Sequence, residues 1–170
     1  HKMGADIDGA GTSIIKINGV NSLKPVQTAI IPDRIETGTF MISAVLTRGN
    51  VTLVDCEPEH LGATINILRR TGADIETTTD TMHVSMQGVV NSVDVKTQPY
   101  PGFPTDMQAQ FMVLMSIADG SSMISETIFE NRYIHVSELI RMGADIKVDG
   151  NIAIVKGVPN LSGAPVMATD

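Results

Sequence analysis

The sequence contains one short motif three times, as Met3-Gly-Ala-Asp-Ile-Asp8, Thr71-Gly-Ala-Asp-Ile-Glu76 and Met142-Gly-Ala-Asp-Ile-Lys147. The glycines of successive copies are 68 and 71 residues apart, and each copy is followed by a Gly-Val pair. A period of this length is too long for a solenoid unit of one helix and suits a whole α/β building block. The repeat therefore predicts an α/β chain assembled from copies of one unit.

The second copy indicates the order of elements within that unit. Apolar residues at helical spacing follow Asp33, a plausible helix cap, and precede Gly49, a plausible stop. Short β-branched or alternating stretches indicate strands. The predicted elements are a helix over 32–48, a strand over 51–54, a helix over 58–71, and strands over 74–76 and 82–86.

The next copy repeats this order. Its last two strands flank Asp149-Gly-Asn151, a turn sequence typical of a hairpin. A short strand is also predicted before the first helix of each copy, which completes a βαβαββ unit. The predictions are helices over 106–118 and 130–142, strands over 122–125, 145–148 and 152–155, and preceding strands over 27–31 and 93–96.

The composition excludes several classes of protein. A hydrophobic content of 42% and a charged content of 18% are typical of a globular chain of 170 residues. The net charge of −7 argues against a general surface for nucleic acid or an anionic membrane. No apolar run reaches the length of a membrane span. The single cysteine, Cys56, excludes an internal disulfide, and with no signal-peptide pattern we expect a cytoplasmic protein.

Four longer strings carry a resemblance to a known family. They are Pro32-Asp-Arg-Ile-Glu-Thr-Gly-Thr-Phe40, Phe103-Pro-Thr-Asp-Met-Gln-Ala-Gln-Phe111, Glu126-Thr-Ile-Phe-Glu-Asn-Arg132 and Leu161-Ser-Gly-Ala-Pro-Val-Met-Ala-Thr-Asp170. In this order they resemble the UDP-N-acetylglucosamine enolpyruvyl transferases over essentially the whole chain. The resemblance implies an inside-out α/β barrel, with two domains of three βαβαββ units each. Residues 1–30 would then be the tail of the first domain and the hinge, and 31–170 most of the second, with its third unit truncated.

The resemblance also implies a reaction. The family moves the enolpyruvyl group of phosphoenolpyruvate to the 3-hydroxyl of UDP-N-acetylglucosamine and releases phosphate, the first committed step of peptidoglycan synthesis. The two substrates would meet in a cleft between the domains, of which this chain holds one wall. Neither a cofactor nor a metal is expected. Because the family's reactive loop cysteine and most of its phosphate-binding cations lie outside these residues, we expect the chain alone to be inactive.

Two charged residues are the main candidates for the chemistry, which needs a base for the sugar hydroxyl and cations for phosphoenolpyruvate. By the resemblance, Asp106 contacts that hydroxyl and is the general base. Its place at a helix start equally suits an N-cap. By the same resemblance, Arg132 faces the carboxylate of phosphoenolpyruvate, which suits a guanidinium fork. The alternative for Arg132 is a solvated helix arginine paired with Glu130 or Glu138.

The remaining candidates rest on the resemblance as well. Ile128 and Phe129 would touch the nucleotide-sugar, partly through backbone atoms, although burial as plain core is the alternative. Asp170 would lie beside the reacting carbons. Cys56 is interpreted as a core thiol at a strand end. The three internal histidines lack the spacing of metal ligands; they are His60, His83 and His135.

Three other hypotheses stay open. Enolpyruvyl transfer to shikimate 3-phosphate shares the fold, and a substrate swap would distinguish it. A non-catalytic repeat or scaffold module would be indifferent to the loss of the Asp106 carboxylate. An α/β fold with another sheet order also fits the pattern, because sequence alone does not determine how the units close. Solvent-facing sheets around buried helices would favour the inside-out arrangement.

Overall fold

A computed structural model describes residues 1–168 of the chain. By its internal packing the chain divides after Ile31 into two units. In the first unit, strands β1 (Asp6–Asp8) and β2 (Lys16–Asn18) pair antiparallel. None of its thirty-one residues, all of them described, is buried. This unit therefore has no hydrophobic core of its own.

The strand predicted over 27–31 is absent from the structure, and this prediction is wrong. These residues are exposed and form no ladder with any described strand. Ile30 is 93% exposed. Apolar β-branched residues favour a strand, but a strand persists only where a neighbour accepts its backbone hydrogen bonds. No described segment supplies that neighbour here.

The second unit begins at Pro32 and confirms the predicted element order. Short 3₁₀ turns over Pro58–Leu61 and Thr105–Met107 lead directly into the helices that follow them. Among the described residues the order helix, strand, helix, strand, strand occurs twice, with one short strand between the copies. The elements are α1 (Arg34–Leu46), β3 (Asn50–Leu53), α2 (Gly62–Arg70), β4 (Asp74–Thr77), β5 (Met82–Ser85), β6 (Val95–Lys96), α3 (Gln108–Met115), β7 (Ser121–Ser125), α4 (Val136–Arg141), β8 (Asp145–Asp149) and β9 (Ile152–Lys156).

The ends of α1 show one correct and one incorrect expectation. Asp33 is the N-cap, since its Oδ1 accepts hydrogen bonds from the backbone N–H groups of Ile35 at 2.7 Å and Glu36 at 3.3 Å. The predicted stop at Gly49 is wrong in detail, because α1 ends at Leu46 and the left-handed residue that follows the helix is Arg48, with φ of 52°, rather than Gly49. The Arg48 side chain donates from Nε to the Gly88 carbonyl at 3.0 Å. That tertiary hydrogen bond accompanies a conformation that a glycine would normally adopt.

Each copy of the unit forms its own sheet. The first has the order β3-β5-β4 and is antiparallel throughout. The second has the order β6-β7-β9-β8, and only β6 and β7 run parallel, as expected for strands joined through a helix. In both β7 and β9 buried and exposed residues alternate, so one face meets the core and the other meets solvent.

Helix α3 lies in the core of the second unit. Helix α3 is apolar around most of its circumference, which is the pattern of a fully buried helix. It packs beside α1, and the Gln110 amide donates to the Thr39 hydroxyl at 3.1 Å across a separation of 71 residues, one repeat length. Buried helices with sheets facing solvent confirm the inside-out α/β arrangement. The buried residues of α3 are Gln108, Phe111, Met112, Leu114 and Met115.

The helix predicted over 130–142 is much shorter than expected. Helix α4 begins only at Val136, and Asn131 adopts a left-handed conformation with φ of 58° that no α-helix contains. Residues 126–135 form an ordered loop, held by hydrogen bonds to other parts of the chain. Tertiary contacts here override the helical pattern of the sequence.

Candidate functional site

Asp106 occupies the middle of the 3₁₀ turn that precedes α3. The residue at the N-cap of this turn is Pro104, and neither the turn nor α3 has a side-chain cap. The N-cap interpretation of Asp106 is therefore wrong. Its carboxylate, 53% exposed, instead forms an ion pair with Arg132, with Oδ1 at 3.1 Å from Nη2. The side chain thus points to the loop before α4.

Arg132 lies in that loop rather than on a helix. Its side chain is 20% exposed, and its guanidinium stacks over the ring of Phe129, 5.1 Å from the centroid. The alternative of a helix arginine paired with Glu130 or Glu138 is wrong, because Arg132 precedes α4 and pairs with Asp106, while Glu138 pairs with Arg141 at 3.5 Å. A cation is thereby held between a carboxylate and an aromatic face.

Ile128 lies near Asp106. Both residues line a small cavity of ≈ 160 Å³, together with Arg34, whose guanidinium is 5.5 Å from the centre of the Tyr100 ring. Ile128 is 41% exposed and Phe129 is 59% exposed, so their interpretation as plain core is wrong. Four sequence-predicted residues therefore lie together: Asp106, Ile128, Phe129 and Arg132.

The structure adds Glu126, a residue to which sequence reasoning assigned no role. This acid is buried, with 2% of its surface exposed. Its Oε1 accepts hydrogen bonds from the Thr97 hydroxyl at 2.8 Å and from the backbone N–H groups of Ile128 at 2.8 Å and Phe129 at 3.1 Å. Its Oε2 accepts from the Thr105 hydroxyl at 2.8 Å. Glu126 therefore joins the turn that carries Asp106 to the loop that carries Phe129.

The hydrogen bonds around Glu126 also decide its charge. Burial raises the pKa of a carboxyl group, but the donors from Ile128, Thr97, Thr105 and Phe129 lower it, and the net pKa of Glu126 is below its ordinary value. The side chain is therefore an ionised carboxylate at neutral pH. An ionised carboxylate only accepts hydrogen bonds, which matches four surrounding donors.

The far end of the same loop is fixed by Tyr133. Its hydroxyl lies 2.9 Å from the carbonyl oxygen of Ile124 and 3.2 Å from that of Asn151. Burial is the main reason that the pKa of this phenol is raised. Glu126 and Tyr133 thus tether the loop at both ends, and the exposed residues between them are presented on a fixed backbone.

A signal for Glu126 was present in the sequence. Residues in a strand alternate between faces, so Ser122, Ile124 and Glu126 share one face of β7 and its continuation. All three are buried in the structure. An acid at a position that continues the buried face of a strand indicates a carboxylate with internal partners.

The remaining candidates are Cys56, the possible metal ligands and Asp170. Cys56 is a buried thiol whose pKa is raised, chiefly by burial, and this confirms its interpretation as a core residue. The described residues hold no cluster of histidine, cysteine or acidic side chains suited to a metal ion. Asp170 lies outside the described residues. No helix of the described part is long and apolar enough to cross a membrane.

The fold defines a class of protein, the enolpyruvyl transferases. The chain superposes on the enolpyruvyl transferase NikO from Streptomyces tendae with a TM-score of 0.80 and 27% identity, over 93% of this chain and 38% of that one. An EPSP synthase from Acinetobacter baumannii shares the fold, with a TM-score of 0.58 and 19% identity, over 95% and 38% of the two chains. The chain belongs to the EPSP synthase (3-phosphoshikimate 1-carboxyvinyltransferase) family, whose profile matches residues 1–170.

Closer relatives carry a more particular name. The chain is 62% identical to a UDP-N-acetylglucosamine 1-carboxyvinyltransferase from Desulfosudis oleivorans, over 100% of this chain and 41% of the relative. It is 59% identical to the protein of the same name from Geotalea daltonii, over 99% of this chain and 40% of the relative. The chain therefore spans about 40% of the length of these curated relatives.

Proposed function

We propose that this chain is part of a longer enzyme that transfers enolpyruvyl from phosphoenolpyruvate to the 3-hydroxyl of UDP-N-acetylglucosamine, releasing phosphate in peptidoglycan synthesis. The observation that carries the proposal is the 62% identity, over the whole chain, to a relative of that name. The cluster in which Arg132 pairs with Asp106 at 3.1 Å and covers the Phe129 ring supplies a carboxylate and a cation suited to this reaction. Without this identity, the cluster alone would fit several reactions of anionic substrates.

Each member of the cluster has a proposed task. Asp106, an exposed carboxylate at the mouth of a cavity, accepts the proton of the sugar hydroxyl. Arg132 has the planar fork that binds a carboxylate, here that of phosphoenolpyruvate. Ile128 and Phe129 offer exposed apolar surface to the nucleotide-sugar. Asp170 is proposed to lie near the reacting carbons. No cofactor enters this scheme.

The division of the chain supports its assignment to two domains. We assign residues 1–30 to the tail of a first domain and its hinge, and residues 31–170 to most of a second domain whose third unit is incomplete. Residues 1–31 bury no side chain, as expected for a segment whose core lies in the first domain. Phe40 of α1 is 54% exposed, whereas Phe111, one repeat later on α3, is fully buried. A helix of the third βαβαββ repeat of this domain would cover Phe40. The substrates would bind in the cleft between the two domains.

The test is phosphate release by the full-length protein from phosphoenolpyruvate and UDP-N-acetylglucosamine. Asp106→Asn keeps the shape of the side chain and removes the base, so the rate should fall by about 10²–10⁴-fold. Asp145→Asn, an equal change on an exposed strand residue, should leave the rate unchanged. The 170-residue chain alone should release no phosphate. Full activity in Asp106→Asn would exclude this residue as the base.

The second candidate function is the same transfer to shikimate 3-phosphate. The observation in its favour is the family itself, which is described by that reaction. The two acceptors are compared in the same assay. Phosphate release only with shikimate 3-phosphate would replace the first proposal with the second, and release with neither acceptor would favour a non-catalytic repeat module.

A further inference from the structure

A buried carboxylate connects the parts of the candidate site. Glu126 is 2% exposed and accepts four hydrogen bonds, from two threonine hydroxyls and two backbone N–H groups. One hydroxyl belongs to Thr105, the residue directly before Asp106. The two N–H groups belong to Ile128 and Phe129. One side chain thus contacts both halves of the site.

The backbone of Glu126 is fixed as firmly as its side chain. Its N–H donates to the carbonyl of Asn151 at 2.8 Å, and the Asn151 amide donates to the Glu126 carbonyl at 3.1 Å. Asn151 belongs to the tight turn between β8 and β9. The hydrogen bonds to the β8–β9 turn therefore fix the position of Glu126 relative to the sheet. Its carboxylate then links the 3₁₀ turn before α3 to the loop before α4.

We infer that Glu126 is the positioning residue of the proposed site, setting the geometry between Asp106 and the Ile128–Phe129 backbone. This inference rests on the proposed function for its kinetic consequences. Glu126 touches no reacting atom and acts through the Thr105 hydroxyl and the two N–H groups. A displacement of about 1 Å in such a geometry costs on the order of 10²-fold in rate.

The choice of side chain supports a positioning role. Four donors converge on the two oxygens, and a carboxylate has acceptor sites for all of them. An alanine would leave these donors unpaired in a buried place, which removes the tie between the two segments. A glutamine keeps one oxygen for the three donors at Oε1, and its amide can donate to the Thr105 hydroxyl, which is able to accept as well as donate. Glutamine is therefore the conservative replacement.

The experiment compares Glu126→Ala, Glu126→Gln, Thr105→Val and the double variant Glu126→Ala/Thr105→Val in the full-length protein. Steady-state kinetics give kcat and the KM for UDP-N-acetylglucosamine separately, and hydrogen exchange reports the Ile128 and Phe129 amides without substrate. Ser122→Ala is the matched control, because Ser122 is a buried polar residue of β7 whose hydroxyl accepts from the Val93 N–H and donates to the Met115 sulfur, and neither partner is a residue of the proposed site.

Glu126→Ala should lower kcat/KM by roughly 10- to 100-fold, with kcat falling and KM rising together, and should accelerate exchange at both amides. Glu126→Gln should recover most of the activity. The effect of Thr105→Val should be largely absent in the Glu126→Ala background, because both changes break the same link. Ser122→Ala should lower stability and leave kcat and KM unchanged.

Three results would overturn the inference. The first is wild-type kcat and KM in Glu126→Ala, and the second is unchanged exchange at Ile128 and Phe129. The third, decisive if Glu126→Ala does not fold, is wild-type kinetics in Thr105→Val. If the wild-type protein releases no phosphate, the proposed function fails. Amide exchange in Glu126→Ala then still tests whether Glu126 holds the loop before α4. Unchanged exchange at Ile128 and Phe129 would refute that structural role.

Discussion

Replacing Arg132 with lysine separates the catalytic contribution of this residue from its contribution to stability. Arg132→Lys keeps the positive charge but removes the planar fork and weakens the contact with the Phe129 ring. The pair with Asp106 is partly exposed, and such pairs contribute about 0.2–1 kcal/mol. A cation–π contact contributes about 0.5–1 kcal/mol at exposed sites and about 2 kcal/mol when desolvated, and lysine retains part of both interactions. From the partial loss of these two contacts we expect the free energy of unfolding to fall by about 1–2 kcal/mol.

The expected effect on activity is larger. A hydrogen bond to a charged group contributes about 1.5–3 kcal/mol, and lysine loses at least one of the two bonds that a guanidinium makes to a carboxylate. At 1.4 kcal/mol for each factor of ten, kcat/KM for phosphoenolpyruvate should fall about 10- to 150-fold. The KM for UDP-N-acetylglucosamine should change less, because the proposed direct contact of Arg132 is with the other substrate and lysine keeps a positive charge beside Asp106.

The assay is phosphate release by the full-length protein with each substrate varied in turn, alongside urea denaturation of the same samples. Arg141→Lys is the matched control: Arg141 is an exposed arginine on α4 that also pairs with a carboxylate, that of Glu138. It should behave as wild type in both measurements. A kcat/KM for phosphoenolpyruvate within about twofold of wild type in Arg132→Lys would refute the proposed role.

Two further predictions concern packing and charge. In Gly157→Ala the new Cβ would overlap the backbone carbonyl oxygen of Ala118, so urea denaturation should show a loss of about 1–3 kcal/mol, whereas Gly163→Ala, in open space, should show none. Glu126 has a folded-state pKa below its ordinary value of 4.5, so its stabilising contribution is present above that pH and is lost as pH falls through the folded-state pKa. The stability difference between wild type and Glu126→Gln should narrow below about pH 4.5, and a difference independent of pH would contradict this.

Strands with strong local signals were predicted almost to the residue. The hairpin of β8 and β9 was predicted over 145–148 and 152–155 and is found at Asp145–Asp149 and Ile152–Lys156. The alternation of buried and exposed residues and the turn at Gly150, whose φ is 57°, are both local properties. Such elements can be recognised from a few neighbouring residues, because nothing distant competes with them.

The loop before α4 could not be predicted in the same way. The spacing of its apolar residues predicts a helix, but the conformation of the loop is set by Glu126. The side-chain partner of Glu126, Thr97, lies 29 residues earlier in the chain. The resemblance brought Asp106 and Arg132 forward as candidates, yet it did not predict their ion pair across 26 residues. Contacts between residues this far apart are determined by how the units fold together, and a single sequence records them only indirectly.

The repeat shows that the same unit also folds with apolar residues at the positions of the charged pair. One repeat length before Asp106 and Arg132, the chain has Ile35 and Leu61. Leu61 is buried and Ile35 packs against the core, so the same unit closes with apolar residues at both positions. A partly exposed ion pair adds little stability to offset the loss of that apolar packing. The copy that contains Asp106 and Arg132 therefore gives up hydrophobic burial at these two positions. At the same two positions the chain presents the carboxylate and the cation that its proposed chemistry needs.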